Sequence, residues 1–144
     1  MFLRRSDRLD ALAKVPLFSR LSRRHLGMVA RHADEVKLDV GKVLARQGEH
    51  GLEFLLIVDG DARVERNGKV IGRLTAGDFF GEMSLIDGKP RTATVIAETT
   101  VVLLVVHRRA FGHMLDTVPG LQNSVLLTLC ERLREADAIL ASIN

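Results

Sequence analysis

The chain has 144 residues, 47% apolar and 27% charged, with a net charge of +3. This length and balance describe one globular domain and exclude collagen-like, disordered and low-complexity chains. Charge is uneven: residues 1–31 carry +6 and residues 32–144 carry −3. No recognition-helix pattern or aromatic platform accompanies the basic start, so solvated helix faces are expected there rather than a nucleic-acid interface.

In chain order, Asp7 to Lys14 reads as a short helix bearing Leu9, Leu12 and Ala13, broken by Pro16-Leu17-Phe18. Ser22 is a good N-cap for a second helix carrying Leu26, Val29 and Ala30. From Ala33 the pattern changes to short β-type runs separated by glycine. Val36, Leu38 and Val40 alternate, Val43-Leu44 follow Gly41, and Phe54 to Val58 is a continuous apolar run that suits a strand buried on both faces. Asp59-Gly60-Asp61 is a turn into Ala62 and Val64. Arg66-Asn67-Gly68-Lys69 is the sharpest hairpin signal, because Asn-Gly accepts positive φ at both turn positions. Val70 and Ile71 start the return strand, which Thr75-Ala76-Gly77-Asp78 closes. Further strands are expected near Thr92–Ala97 and Thr100–Val106. Helical spacing returns with a short helix from Ala110-Phe111 to Asp116, and Pro119 suits the first turn of a longer one running to about Ser142. Turn signals every eight to twelve residues point to a mainly β chain with flanking helices: a β jelly roll (double-stranded β-helix) with N-terminal helices and a C-terminal helix pair. The expected divisions are 1–32 for the N-terminal helices, 33–106 for the β roll and 107–144 for the hinge and last helices, within one domain.

A single cysteine, Cys130, excludes a disulfide framework and a paired-cysteine metal site. In its leucine-rich setting it reads as a small core hydrophobe. His25, His32, His50, His107 and His113 are scattered without ligand spacing, so neither metal nor cofactor is expected. The start Met1-Phe2-Leu3-Arg4-Arg5 lacks a signal-peptide core, and the apolar run Val101 to Val106 is too short to cross a bilayer. A cytoplasmic location without a membrane span is expected.

The chemistry concentrates in residues 80–95, Phe-Gly-Glu-Met-Ser-Leu-Ile-Asp-Gly-Lys-Pro-Arg-Thr-Ala-Thr-Val. Gly81 and Glu82 open a short helix to Ile86, whose first N–H groups lack internal partners and attract an anion. Gly81 lets that anion approach the main chain. Ser84 is small enough for its amide, and its hydroxyl, to face phosphate oxygens. Arg91 offers a planar fork of donors matched to phosphate. Glu82, as a carboxylate, only accepts hydrogen bonds, so a sugar hydroxyl suits it better than a phosphate, and a nearby Arg91 would favour its charged form.

This stretch resembles the phosphate-binding cassette of cyclic-nucleotide-binding domains at every fixed position and without insertion. The resemblance extends more loosely over about residues 15–142. It implies that Gly81, Glu82, Met83 and Ser84 contact ribose and phosphate, that Arg91 is the phosphate arginine, and that Thr92 falls where the family has Ser, Thr or Ala. Ser84 departs from the commoner alanine or glycine. Thr92 is compatible with cAMP and cGMP; cAMP is favoured and cGMP kept open. Val64 and Leu74 on the hairpin, with Met83, read either as a wall for the base or as plain core.

From Pro119 onward, Leu121, Val125, Leu129, Leu133, Ala136 and Leu140 recur at helical spacing, widened by Leu126, Leu127, Ile139 and Ile143. The excess apolar surface suits a protein partner, a second copy of the chain, or a cover over the base. In the family a residue of this helix closes over the nucleotide. Arg132 is the candidate, stacking on the purine, with Leu133 as the alternative; equally, Arg132 is an exposed residue beside Glu131 or Glu135. Ligand occupancy would then be transmitted through hinge movement near residues 107–118.

The leading expectation is thus a stand-alone cyclic-nucleotide sensor, not an enzyme, since no nucleophile–base pair or metal cluster is visible. No helix-turn-helix, kinase, channel or acyltransferase segment is read in the sequence. The alternative is a scaffolding module with a vestigial pocket, which an Arg91→Ala substitution separates from the sensor.

Overall fold

The computed structural model describes residues 3–143. Three short helices come first: α1 (Arg5–Ala13), α2 (Pro16–Ser19) and α3 (Arg23–Ala30). Pro16 does not merely stop α1. It opens α2, where its fixed φ and missing N–H suit a first helical position. Ser22 caps α3 by accepting the His25 N–H at 3.1 Å. The basic start is largely solvated, as expected: of its eight Arg and Lys residues all but Arg8 are exposed. Arg8 donates to the carbonyls of Ala30 and Ala33, Arg23 pairs with Asp10, and Arg20 pairs with Glu131.

Among the described residues, eight strands form two antiparallel sheets. One has the order β1 (Ala33–Leu38), β8 (Val101–His107), β3 (Glu53–Asp59), β6 (Phe79–Phe80). The other has the order β2 (Val43–Ala45), β7 (Thr94–Ala97), β4 (Ala62–Arg66), β5 (Lys69–Leu74). This is the expected jelly roll. The apolar runs of β3 and β8 reflect burial on both faces. Phe54, Leu56, Leu104 and Val106 join Phe18, Phe111 and Leu121 beneath the helices, whereas Leu55, Ile57, Leu103 and Val105 pack toward the second sheet. Asn67 and Gly68 take φ of +51° and +79°, as the hairpin signal requires.

The remaining helices are α4 (Glu82–Asp87), between β6 and β7, then α5 (Arg108–Thr117) and α6 (Leu121–Ile143). Several boundaries differ from the sequence reading. Val40 lies exposed beyond β1. β7 starts at Thr94, because Arg91 to Ala93 follow the cassette rather than the ladder. The two-residue β6, too short to show a period, pairs Phe80 with Leu55 and Phe79 with Leu56. α6 begins after Gly120 at φ +84°, so Pro119 lies in the preceding turn. Cys130 is exposed on α6 rather than in the core, because the outer part of that helix has nothing packed over it. No helix of the described residues is long and apolar enough to cross a membrane.

Candidate functional site

A cavity of about 670 Å³ lies between the second sheet, α4 and α6. Its lining brings together all nine residues singled out in the sequence: Val64, Leu74, Gly81, Glu82, Met83, Ser84, Arg91, Thr92 and Arg132. Val64 and Leu74 reach it from the β4–β5 hairpin while also packing against the core between the sheets. Met83 stands half exposed at its rim. Ile71, Phe79 and Phe80 also line it. The sequence reading missed all three as site residues, since two belong to the unforeseen β6 and Ile71 looked like an ordinary hairpin residue.

The local fold of the cassette depends on two close approaches. Gly81 caps α4 in the left-handed region, at φ +85°. A Cβ there would stand 2.5 Å from the Glu53 carbonyl oxygen and collide with the Arg91 guanidinium. Gly51 is buried behind the cassette, where a Cβ would lie 2.6 Å from Ser84 Cβ and 3.1 Å from Arg91 Cζ. A serine fits at position 84 because the facing residue has no side chain. The loop holding Gly51 runs along the cassette as a backing strip. Gly48 N–H donates to Arg91 O at 2.9 Å, Arg91 N–H to Glu49 O at 2.7 Å, and Gly51 N–H to Lys89 O at 3.1 Å. Gln47 N–H donates to Thr94 Oγ1 at 2.9 Å. Sequence reasoning missed this strip: its only signal is the pair Gly48 and Gly51 in a polar stretch.

The two charged groups are held from opposite directions. Arg91 Nη2 donates to the Glu53 carbonyl at 2.6 Å, and Arg91 Cζ sits 5.8 Å from the Phe80 ring centroid. Burial pulls the pKa of Arg91 below its ordinary value while the Glu53 carboxylate acts in the other direction. Glu82 is only 4% exposed. Its Oε1 accepts from Arg132 Nε at 2.9 Å and from Arg132 Nη2, and its Oε2 is buried without a hydrogen-bond partner. The alternative for Arg132, an exposed residue beside Glu131 or Glu135, gives way to a pairing across the fold. The ion-pair partner of Glu82 is Arg132, not Arg91, because the backbone of Glu53 draws the Arg91 fork away. Arg132 neither lies free nor faces Glu131, which is taken by Arg20. Instead it crosses from α6 into the cavity.

The arrangement offers a guanidinium fork and main-chain N–H groups at one end, and a buried acceptor at the other. Among the described residues, no group of three or more His, Cys, Asp or Glu side chains is placed to hold a metal ion.

Comparison with known proteins points the same way. The sequence profile of the cyclic nucleotide-binding domain matches residues 35–118. The chain is 39% identical over 114 residues to a cAMP-dependent protein kinase regulatory subunit of Schizosaccharomyces pombe, covering 78% of this chain and 28% of that protein. It thus spans less than a third of that relative's length. Among solved structures, the N-terminal domain of a transcriptional regulator from Streptomyces coelicolor superposes with a TM-score of 0.83 at 27% identity, covering 90% of this chain and 94% of that one. The regulatory domain of Toxoplasma gondii PKA, co-crystallised with cAMP, gives 0.70 at 27% identity, covering 89% and 50%. With the profile matching more than half its length, the chain belongs to the cyclic nucleotide-binding domain family.

Proposed function

We propose that this chain binds a 3′,5′-cyclic nucleotide, cAMP in first place, and passes its occupancy on through movement of the C-terminal helices. The observation that carries this reading is one cavity lined together by Glu82, whose buried Oε2 has no hydrogen-bond partner, by Arg91 and by the start of α4. Leaving such a group unsatisfied costs about 1–3 kcal/mol. A ribose 2′-hydroxyl supplies the missing donor, and the single negative charge of a cyclic phosphodiester suits Arg91 with the N–H groups at the start of α4. The S. pombe relative and the T. gondii structure both carry cAMP in their descriptions, which favours cAMP; Thr92 keeps cGMP open.

Calorimetric titration with cAMP, cGMP, AMP and 2′-deoxy-cAMP tests this. Both cyclic ribonucleotides should bind more tightly than AMP, and 2′-deoxy-cAMP more weakly than cAMP. Absence of binding by either cyclic ribonucleotide at about 1 mM sinks the reading and leaves the vestigial-pocket alternative. The role is binding and regulation rather than catalysis.

The partner on α6 is a second copy of the chain. Leu126, Leu133 and Leu140 are 61%, 66% and 62% exposed and seven residues apart, with Leu129 and Ala136 between them. They form one apolar stripe at the spacing of a two-heptad seam. It lies away from the face that buries Ser124 and Thr128, where Ser124 Oγ donates to Leu17 O at 2.6 Å. Sedimentation equilibrium should show a dimer that Leu133→Glu dissociates; a monomer at all concentrations removes this part of the reading.

A further inference from the structure

Behind the cavity, one residue touches both supports of the anion site, through its main chain on one side and its guanidinium on the other, without lining the cavity. Arg108 is the first residue of α5, and it is absent from the cavity lining. Its N–H donates to Leu52 O at 2.8 Å, one residue before the Glu53 carbonyl that holds Arg91. Its guanidinium crosses the far end of α4. Arg108 Nη2 donates to Ile86 O at 3.3 Å, and a Cβ on Gly88 would stand 3.1 Å from Arg108 Cζ and Nε. Gly88 closes α4 in the left-handed region, at φ +64°, which leaves the guanidinium room to lie there. A cation at this place complements the unpaired carbonyls of a helix C-terminus. The neighbouring His107 closes β8, with ring nitrogens 3.4 Å from the Asp34 carboxylate and 3.7 Å from that of Glu53.

α4 is six residues long, less than two turns, so its first and last turns form one short piece. The contact from Arg108 is to main chain at that last turn, and it follows the position of the helix whatever the side chains do. α5 in turn packs against α6. We propose that Arg108 is a positioning residue that couples occupancy of the cassette to the C-terminal helices, by a route separate from the Glu82–Arg132 pair at the front of the site. This rests on the nucleotide-binding reading above.

The test combines calorimetry with cAMP and hydrogen exchange of residues 121–143, with and without nucleotide, on the wild-type chain, Arg108→Ala and Arg108→Lys. Arg108 is exposed, so both variants should fold. Arg108→Ala should keep its affinity within about threefold yet lose about two- to tenfold of the change in α6 exchange that nucleotide produces. Arg108→Lys should recover part of that response, since an ammonium still donates to a carbonyl. An unchanged α6 response in Arg108→Ala overturns the coupling while leaving the binding reading intact. A variant that loses affinity and response in equal proportion also overturns it, because Arg108 would then only hold the site together. A wild-type chain that binds neither cyclic nucleotide removes the functional reading and the coupling with it.

Discussion

Arg91 and Glu82 sit on the same cavity but are secured by different parts of the molecule. Arg91 belongs to the roll: its own N–H and C=O are bonded to the Gln47–Gly51 loop, and its guanidinium is bonded to a β3 carbonyl. Glu82 is held by a side chain from α6, one oxygen taken by Arg132 and the other left without a partner. A group bonded to main chain inside a sheet is pre-organised and stays where it is. A group held by the end of a long helix reports on where that helix lies. Arg91 is therefore held by the roll itself, whereas Glu82 sits where the cavity meets α6.

The most severe way to break the fixed end is Arg91→Ala. Losing one charged donor to the phosphate removes about 1.5–3 kcal/mol, a roughly 10- to 150-fold loss of cAMP affinity by calorimetry. Gly81→Ala attacks the same end through the backbone. It places a Cβ against Glu53 O and Arg91 at a positive φ, and should lower unfolding stability by about 1–3 kcal/mol in a denaturant titration while weakening binding. At the other end, Glu82→Gln keeps the shape but removes the charge. The preference for cAMP over 2′-deoxy-cAMP should shrink toward unity, because a neutral amide is a poorer acceptor for the hydroxyl.

Arg132→Ala should lower unfolding stability by about 1–3 kcal/mol, because it leaves the buried Glu82 carboxylate with neither oxygen paired. It should raise hydrogen exchange in the last turns of α6 in the nucleotide-free chain. If exchange there stays at the wild-type level, Arg132 does not anchor the helix and the contrast between the two ends disappears. The smallest effect belongs to Leu133→Glu. Measured at a concentration where the wild-type chain is monomeric, it should leave stability within about ±0.5 kcal/mol, and a larger fall there would show that the stripe packs within its own chain.

Much of the site was legible before the structure. The spacing of Gly81, Glu82 and Arg91 singles out the candidate site, because the three lie close in sequence and line one cavity. Arg132 could be nominated from its place on the last helix, but not its partner. Glu82 is fifty residues away, and nothing in α6 itself distinguishes a lid arginine from one paired with Glu131. The Gln47–Gly51 strip was invisible for a related reason. Its hydrogen bonds run through main-chain atoms, which are the same for every residue type except proline.

Most strands and helices, the Asn67-Gly68 turn, the double-faced burial of β3 and the glycine, carboxylate and guanidinium of the cassette were written in local pattern; the two-residue β6 and the short α2 were not. Periodicity and turn chemistry act over a few residues, so they survive in a linear string. Which guanidinium meets which carboxylate, which carboxylate oxygen is left over, and where Arg108 ends were decided only when the roll closed. Those outcomes depend on distances between segments far apart in the chain, and no local pattern encodes them.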